Sequence, residues 1–429
     1  MRRANSSVTD PAPLTWTFKA LPARENEVPF GEIASRNWNV LAGDVMLPAA
    51  VLRESALDHN LRWMQRFCEL TGVEICPHGK TTMAPELFKR QLAAGAWGMT
   101  AATTAQVRVY RQHGINRILF ANELIGRQNI LYILDELDRD PDFDFYCLVD
   151  SDAAVEILEE ALAERKSPRR LQVLVELGLP GGRAGMRSEA EIIALAERVA
   201  QSSHLALRGV EAFEGIVQSD SDSEDRVRQF LKRLIDVAEI CDNMGFFEGR
   251  PLLTAGGSSF FDFVAEMPRD ELRSRFTIVL RSGCYVTHDS EFYQGTVEKL
   301  LRRSPAAASL GDGLRPAIEL WAYVQSRPEP TRIIAGLGKR DASHDVTLPK
   351  PLSGVRAGSS KPEALGADYR TVRLDDQHAY LDVPPESELQ VGDMICFGIS
   401  HPCTTFDRWQ AMYMADDDLN VTGAIRTYF

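Results

Sequence analysis

The stretch "GVEICPHGKTTMAPELFKRQLAAGAWGMTAA", Gly72 to Ala102, contains in miniature the pattern that decides the fold. Its first residues form a short apolar run that predicts a strand over 73–79. Apolar residues then recur at helical spacing and predict a helix over 83–95, followed by a second apolar strand over 98–103. A strand, a helix and a second strand within about 30 residues make a βαβ unit, whose two strands run parallel. Lys80 falls where the first strand gives way to the loop. In a chain with nine lysines against 39 arginines, a lysine at that point stands out.

The same alternation extends in both directions. Further strands are expected at 117–123, 143–149, 171–177, 207–213, 251–255 and 276–282, with helices at 51–71, 104–114, 127–139, 151–166, 188–201 and 223–245. Runs such as "RILFA" (Arg117–Ala121), "LQVLVEL" (Leu171–Leu177) and "FTIVL" (Phe276–Leu280) suit strands covered on both faces. Eight strands with intervening helices over about 240 residues predict an α/β fold, a (β/α)8 TIM-like barrel. A doubly wound open sheet has the same count.

After residue 290 the pattern changes to antiparallel alternation, in "RPAIELWAYVQSRPEPTRIIAGLG" (Arg315–Gly338), "YRTVRLDDQHAYLDV" (Tyr369–Val383) and "ELQVGDMICFGIS" (Glu388–Ser400). The expected organisation is an N-terminal segment 1–44 packing on the β domain, a barrel over 45–290, and a C-terminal antiparallel β domain over 291–429.

A formal net charge of −13 argues against nucleic acid or an anionic membrane as partner. No apolar run reaches the roughly 18 residues that span a bilayer. Arg2 and Arg3 have no apolar stretch behind them, so no secretory signal is read. The seven cysteines lack paired spacing, which points to a reduced cytoplasm.

Three features could carry chemistry. Lys80, unlike an arginine, can lose its proton through desolvation and condense with a carbonyl. His78, two residues earlier, shares its side if the strand continues that far. "LLTAGGSSFFDF" (Leu252–Phe263) sets Gly256, Gly257 and Ser258 between a strand and a short helix, where amides and a hydroxyl can bind phosphate. A plain strand-to-helix turn looks the same. "CFGISHPCTTFDRW" (Cys396–Trp409) offers His401 and Cys403 as a pair of zinc ligands, and His378 is either a third ligand or structural. Cys76 and Cys284 read as buried apolar residues.

Taken together, "PHGKT" (Pro77–Thr81), "GGRAGMR" (Gly181–Arg187), "AGGSS" (Ala255–Ser259), "RSGCYVTHD" (Arg281–Asp289) and "SHPC" (Ser400–Cys403) resemble the D-serine dehydratase and D-threonine aldolase family. These are pyridoxal 5'-phosphate enzymes of the alanine-racemase type, usually homodimers. The resemblance implies Lys80 as the Schiff-base lysine and Gly256, Gly257 and Ser258 as the phosphate loop. It implies Arg183 near the pyridine ring, Tyr285 at the cofactor and substrate pocket, and His401 and Cys403 as the metal pair. Dehydratase-like members carry His-x-Cys and aldolase-like members His-x-Asp, so Cys403 implies zinc-dependent loss of water from a D-serine-like β-hydroxy amino acid, giving a 2-oxo acid and ammonia. An aldolase, a racemase and a non-catalytic carrier of the cofactor are the rival readings. Two residues depart from the family pattern: Thr82 stands where a histidine is usual, and Phe213 in "EAFEG" replaces a tyrosine.

Overall fold

A computed structural model describes residues 12–217 and 220–429. Eight parallel strands follow one another round a single sheet: Glu74–Ile75, Met99–Ala101, Arg117–Glu123, Asp144–Val149, Leu171–Leu177, Leu205–Ala212, Leu252–Ala255 and Thr277–Leu280. The last pairs back onto the first, Val279 with Glu74 and Leu280 with Ile75. Between first and second strands the seam is closed by Trp97 donating to the Ile75 carbonyl and Thr100 to that of Pro77, both at 2.8 Å. A parallel bridge joins His78 to Thr100, and the Thr100 hydroxyl donates to the Cys76 carbonyl at 2.6 Å. Closure selects the barrel over the open sheet.

Helices follow the strand ends where local chemistry starts them. Thr103, Ser151 and Ser188 each accept an amide of the first helical turn, and Gly72, in a left-handed conformation, ends the Glu54–Thr71 helix. That helix begins three residues later than expected from its pattern. Residues 49–53, counted with the barrel in the sequence, form a strand of the other sheet, antiparallel to Ile318–Glu329 and parallel to Ala411–Ala415. Alternating apolar residues alone do not reveal which sheet a strand joins.

Inside the barrel, side chains two residues apart along a strand form successive layers. Cys76, Leu119, Leu148, Leu174, Leu252 and Val279 make a dry layer. Two residues further along lie Glu176, Thr254 and Arg281, joined by Glu211, all buried. One layer is oil and the next is charge. The charged layer lies toward the C-terminal strand ends, where barrel loops carry chemistry.

The remaining strands, from Ile318 onward, form a mostly antiparallel sheet around Trp321, Phe397, Phe406, Trp409 and Tyr413, all fully buried. Residues of the N-terminal segment lie on it: Phe18 meets the Tyr413 ring edge-on at 5.3 Å, and Asn39 bridges to Asn420. The chain end returns to the barrel, where the Tyr428 amide donates to the Met83 carbonyl at 3.0 Å. Among the described residues no helix is long and apolar enough to cross a membrane.

Gly209 marks a tight approach within the barrel wall. Its φ is +153°, and a Cβ there would strike the Leu252 carbonyl of the neighbouring strand. Gly209→Ala should therefore destabilise the protein by about 2 kcal/mol or more, measured as a lowered denaturant midpoint at unchanged m-value.

Candidate active site

The charged layer opens toward a cleft whose floor is built by strand ends. Arg281, just past the eighth strand, forms an ion pair with Glu211 and donates to the Ala212 carbonyl at 2.7 Å. Burial pushes the Glu176 carboxyl up, and Glu211 and Glu123 push it the same way. Glu211 is also raised by burial, while Arg281 and Arg183 hold it down. Carboxyls packed this closely disfavour one another's ionisation. His78 Nδ1, Glu123 Oε1 and Arg281 Nε are buried without a hydrogen-bond partner. Orphaned polar atoms gathered in one place are what a polar ligand would satisfy.

Lys80 sits in a tight turn, Gly79–Thr81, directly after His78. Extended backbone ends at His78, so the expected side-sharing of His78 and Lys80 does not arise from a continuing strand. The turn leaves Lys80 exposed at the barrel mouth. Burial, with the charges of Lys80, Arg281 and Arg183, pushes His78 well below the ordinary histidine range, which keeps it neutral. Gly79 packs against Tyr110 and Phe88, and a side chain at Gly283 would strike the His78 carbonyl, so the turn is held from both sides.

Gly256 and Gly257 follow the seventh strand, and their amides converge on one carboxyl group. That group is the side chain of Glu214, at 2.9 Å from the Gly256 nitrogen and 2.6 Å from that of Gly257; burial raises its pKa, and these two bonds, together with Arg281, hold it down. Ser258 faces Cys284 and Tyr293. Arg183 is exposed, its guanidinium 4.9 Å from the Phe213 ring centroid, on a loop that Arg187 staples through the carbonyls of Gly182, Arg183 and Ala184.

The second sheet brings its own groups to this cleft. His401 Nδ1 lies 2.6 Å from Asp345 Oδ2, an arrangement that fixes the ring and aims its other nitrogen. Cys403 Sγ is 3.5 Å from the Thr81 hydroxyl and 3.7 Å from Cys284 Sγ. Cys284, expected to be an inert apolar residue, is buried but faces the cleft. Its contact with Cys403, aided by His401 and Thr81, holds the Cys403 thiol well below its ordinary range despite burial. His401 is raised to about 9, chiefly by Cys403 and further by Asp345.

Tyr285, expected at the pocket, and His378, read as either a third ligand or structural, lie elsewhere. Tyr285 is buried with its hydroxyl toward Gln91, packed on the Glu54–Thr71 helix rather than at the mouth. The half-buried Tyr293 faces the cleft near Cys284 and Cys403 instead. His378 is exposed on a hairpin turn beside Lys339, Arg340 and Asp375, and among the described residues no three His, Cys, Asp or Glu side chains stand ready around one ion. The residues missed from sequence were the acids. Their signal was a glutamate inside an otherwise apolar strand or at its end: Glu176 in "LVEL", and Glu211 and Glu214 in "VEAFEG".

A closed β/α barrel with a lysine at the end of its first strand and an anion cradle after its seventh, followed by a β sheet, defines the fold type III pyridoxal-phosphate enzymes. The model of the alanine racemase N-terminal domain matches residues 52–274, more than half of the chain, and the protein belongs to that family. The putative serine dehydratase domain matches residues 317–415. The chain is similar to D-threonine aldolase from Arthrobacter sp, 25% identical over 378 residues, which covers 86% of this chain and 89% of that protein. It is 29% identical over 149 residues to D-threo-3-hydroxyaspartate dehydratase from Delftia sp. (strain HT23), 35% of this chain and 38% of that one. The crystal structure of D-threonine aldolase from Filomicrobium marinum shares the fold, with a TM-score of 0.72 at 22% identity, covering 90% of this chain and 95% of that chain.

The Arg281–Glu211 pair tests how this layer is held together. Arg281→Met should cost about 3–5 kcal/mol, because it leaves Glu211 buried without its partner. Adding Glu211→Leu should recover much of the loss in equilibrium unfolding.

Proposed function

We propose that the protein is a pyridoxal-phosphate-dependent lyase that removes water from a D-serine-like β-hydroxy D-amino acid, releasing a 2-oxo acid and ammonia, with zinc at His401 and Cys403. One observation carries this reading: Cys403 touches Thr81, the residue after Lys80. A lysine for the cofactor and a thiol–imidazole pair for a metal therefore share one cleft.

The residues fit both groups. The amides of Gly256 and Gly257 already hold the Glu214 carboxyl group, and a lysine amine is free at the mouth. A thiol held below its ordinary range beside an imidazole braced by Asp345 suits zinc better than magnesium or calcium. When bound, pyridoxal phosphate supplies an electron sink for the charge that develops at the substrate Cα. Lys80 would hold the cofactor, and its amine would serve as the general base for the α-proton. His401 and Cys403 would hold zinc, which supplies a Lewis acid for the β-hydroxyl. Arg281, paired with Glu211, and His78, held well below its ordinary range by burial and by the charges of Lys80, Arg281 and Arg183, lie beside each other at the strand ends.

An aldolase reading has its own support, the similarity to D-threonine aldolase along most of the chain. The metal pair would serve it equally, and the thiol at Cys403 favours the dehydratase through the family resemblance. Product analysis separates them. A panel of β-hydroxy D-amino acids should yield a 2-oxo acid with ammonia; glycine with an aldehyde would replace the dehydratase by the aldolase.

Borohydride reduction in the presence of pyridoxal phosphate should attach the cofactor to the peptide containing Lys80. Labelling that persists in Lys80→Ala would refute the assignment. Removing metal with a chelator should abolish turnover while leaving this labelling intact, and zinc should restore activity. Cys403→Ala should stay at least about 100-fold less active after zinc is returned.

A further inference from the structure

The two amides after the seventh strand are already taken by a side chain of this chain. Glu214 lies in a short turn, Glu214–Ile216, directly after the sixth strand, and its side chain is fully buried. Each carboxylate oxygen accepts one amide, Oε2 from Gly256 and Oε1 from Gly257. The glycines leave this space open: Gly256 has a φ of +122°, and a Cβ at Gly257 would stand 3.3 Å from the Phe213 ring and 3.5 Å from Glu214 Oε1. The Phe213 and Glu214 side chains thus occupy the room in front of the two amides.

We propose that Glu214 is a built-in competitor for the phosphate group, so that pyridoxal phosphate gains the Gly256 and Gly257 amides only when this carboxylate withdraws. The inference rests on the pyridoxal-phosphate reading of the site. Two amides cannot serve the Glu214 carboxyl and a phosphate oxygen together, and the two groups cannot share the space in front of them. Glu214 therefore lowers the affinity of the cradle for any phosphate monoester. In exchange it satisfies two buried donors when no cofactor is bound, which keeps the cofactor-free protein folded around an intact loop.

Protein stripped of cofactor tests this in three forms: wild type, Glu214→Ala and Glu214→Gln. Glu214→Gln retains one acceptor for the amides and guards against a folding defect in Glu214→Ala. Pyridoxal phosphate affinity is read by absorbance titration, and the effect of inorganic phosphate by thermal unfolding. Glu214→Ala should bind pyridoxal phosphate about ten-fold more tightly or better, with Glu214→Gln between it and wild type. Inorganic phosphate should raise the Tm of Glu214→Ala more than that of wild type. Equal or weaker cofactor binding in both variants, or equal stabilisation of all three proteins by phosphate, would overturn the proposal. Failure of the functional reading looks different. Phosphate would still distinguish the variants, but borohydride would fix no cofactor to Lys80 in any of them.

Discussion

Closure of the barrel between its first and second strands is the constraint on which the rest depends. Only a few bonds make that seam: Trp97 and Thr100 donating to the carbonyls of Ile75 and Pro77, and the Thr100 hydroxyl on Cys76. Because the seam extends to His78, the chain must turn immediately afterwards, and that turn presents Lys80 at the mouth. The eighth strand fixes it from the other side, where the His78 amide donates to the Arg281 carbonyl at 3.2 Å. The lysine's position follows mainly from backbone hydrogen bonding.

Above the dry layer, the barrel contains charge that an inert core would avoid. Glu176, Glu211 and Arg281 are buried, and a buried ion pair is poor evidence for added stability. Such groups persist where they shape an electrostatic environment, and perturbed carboxyls gathered in a cleft mark functional sites. Here they lie at the C-terminal ends of the barrel strands. The cost is offset by the surrounding β/α wall, whose apolar strands and helix faces bury most of the hydrophobic residues.

The second sheet contributes what the barrel lacks. Its Cys403 reaches the Lys80 turn through Thr81, across 322 residues of sequence. Asp345, on a different loop of that sheet, braces His401. The strand Ala49–Arg53 and the returning chain end tie this sheet to the barrel.

The sequence by itself determined the order of strands and helices, because hydrophobic period and capping residues act over a few positions. Strands such as Arg117–Glu123 and Leu171–Leu177 fall where the pattern sets them. Lys80, the glycine loop and the His401–Cys403 pair were also legible, each as a local run of unusual residues. Tertiary structure alone decided that the sheet closes, that residues 49–53 cross to the second sheet, and that Tyr293 rather than Tyr285 faces the cleft. It alone decided that Glu214 fills the anion cradle and that Cys284 meets Cys403. Each of these joins side chains far apart in the chain. Such contacts depend on strand register and on which face of a turn points inward, and local periodicity carries neither.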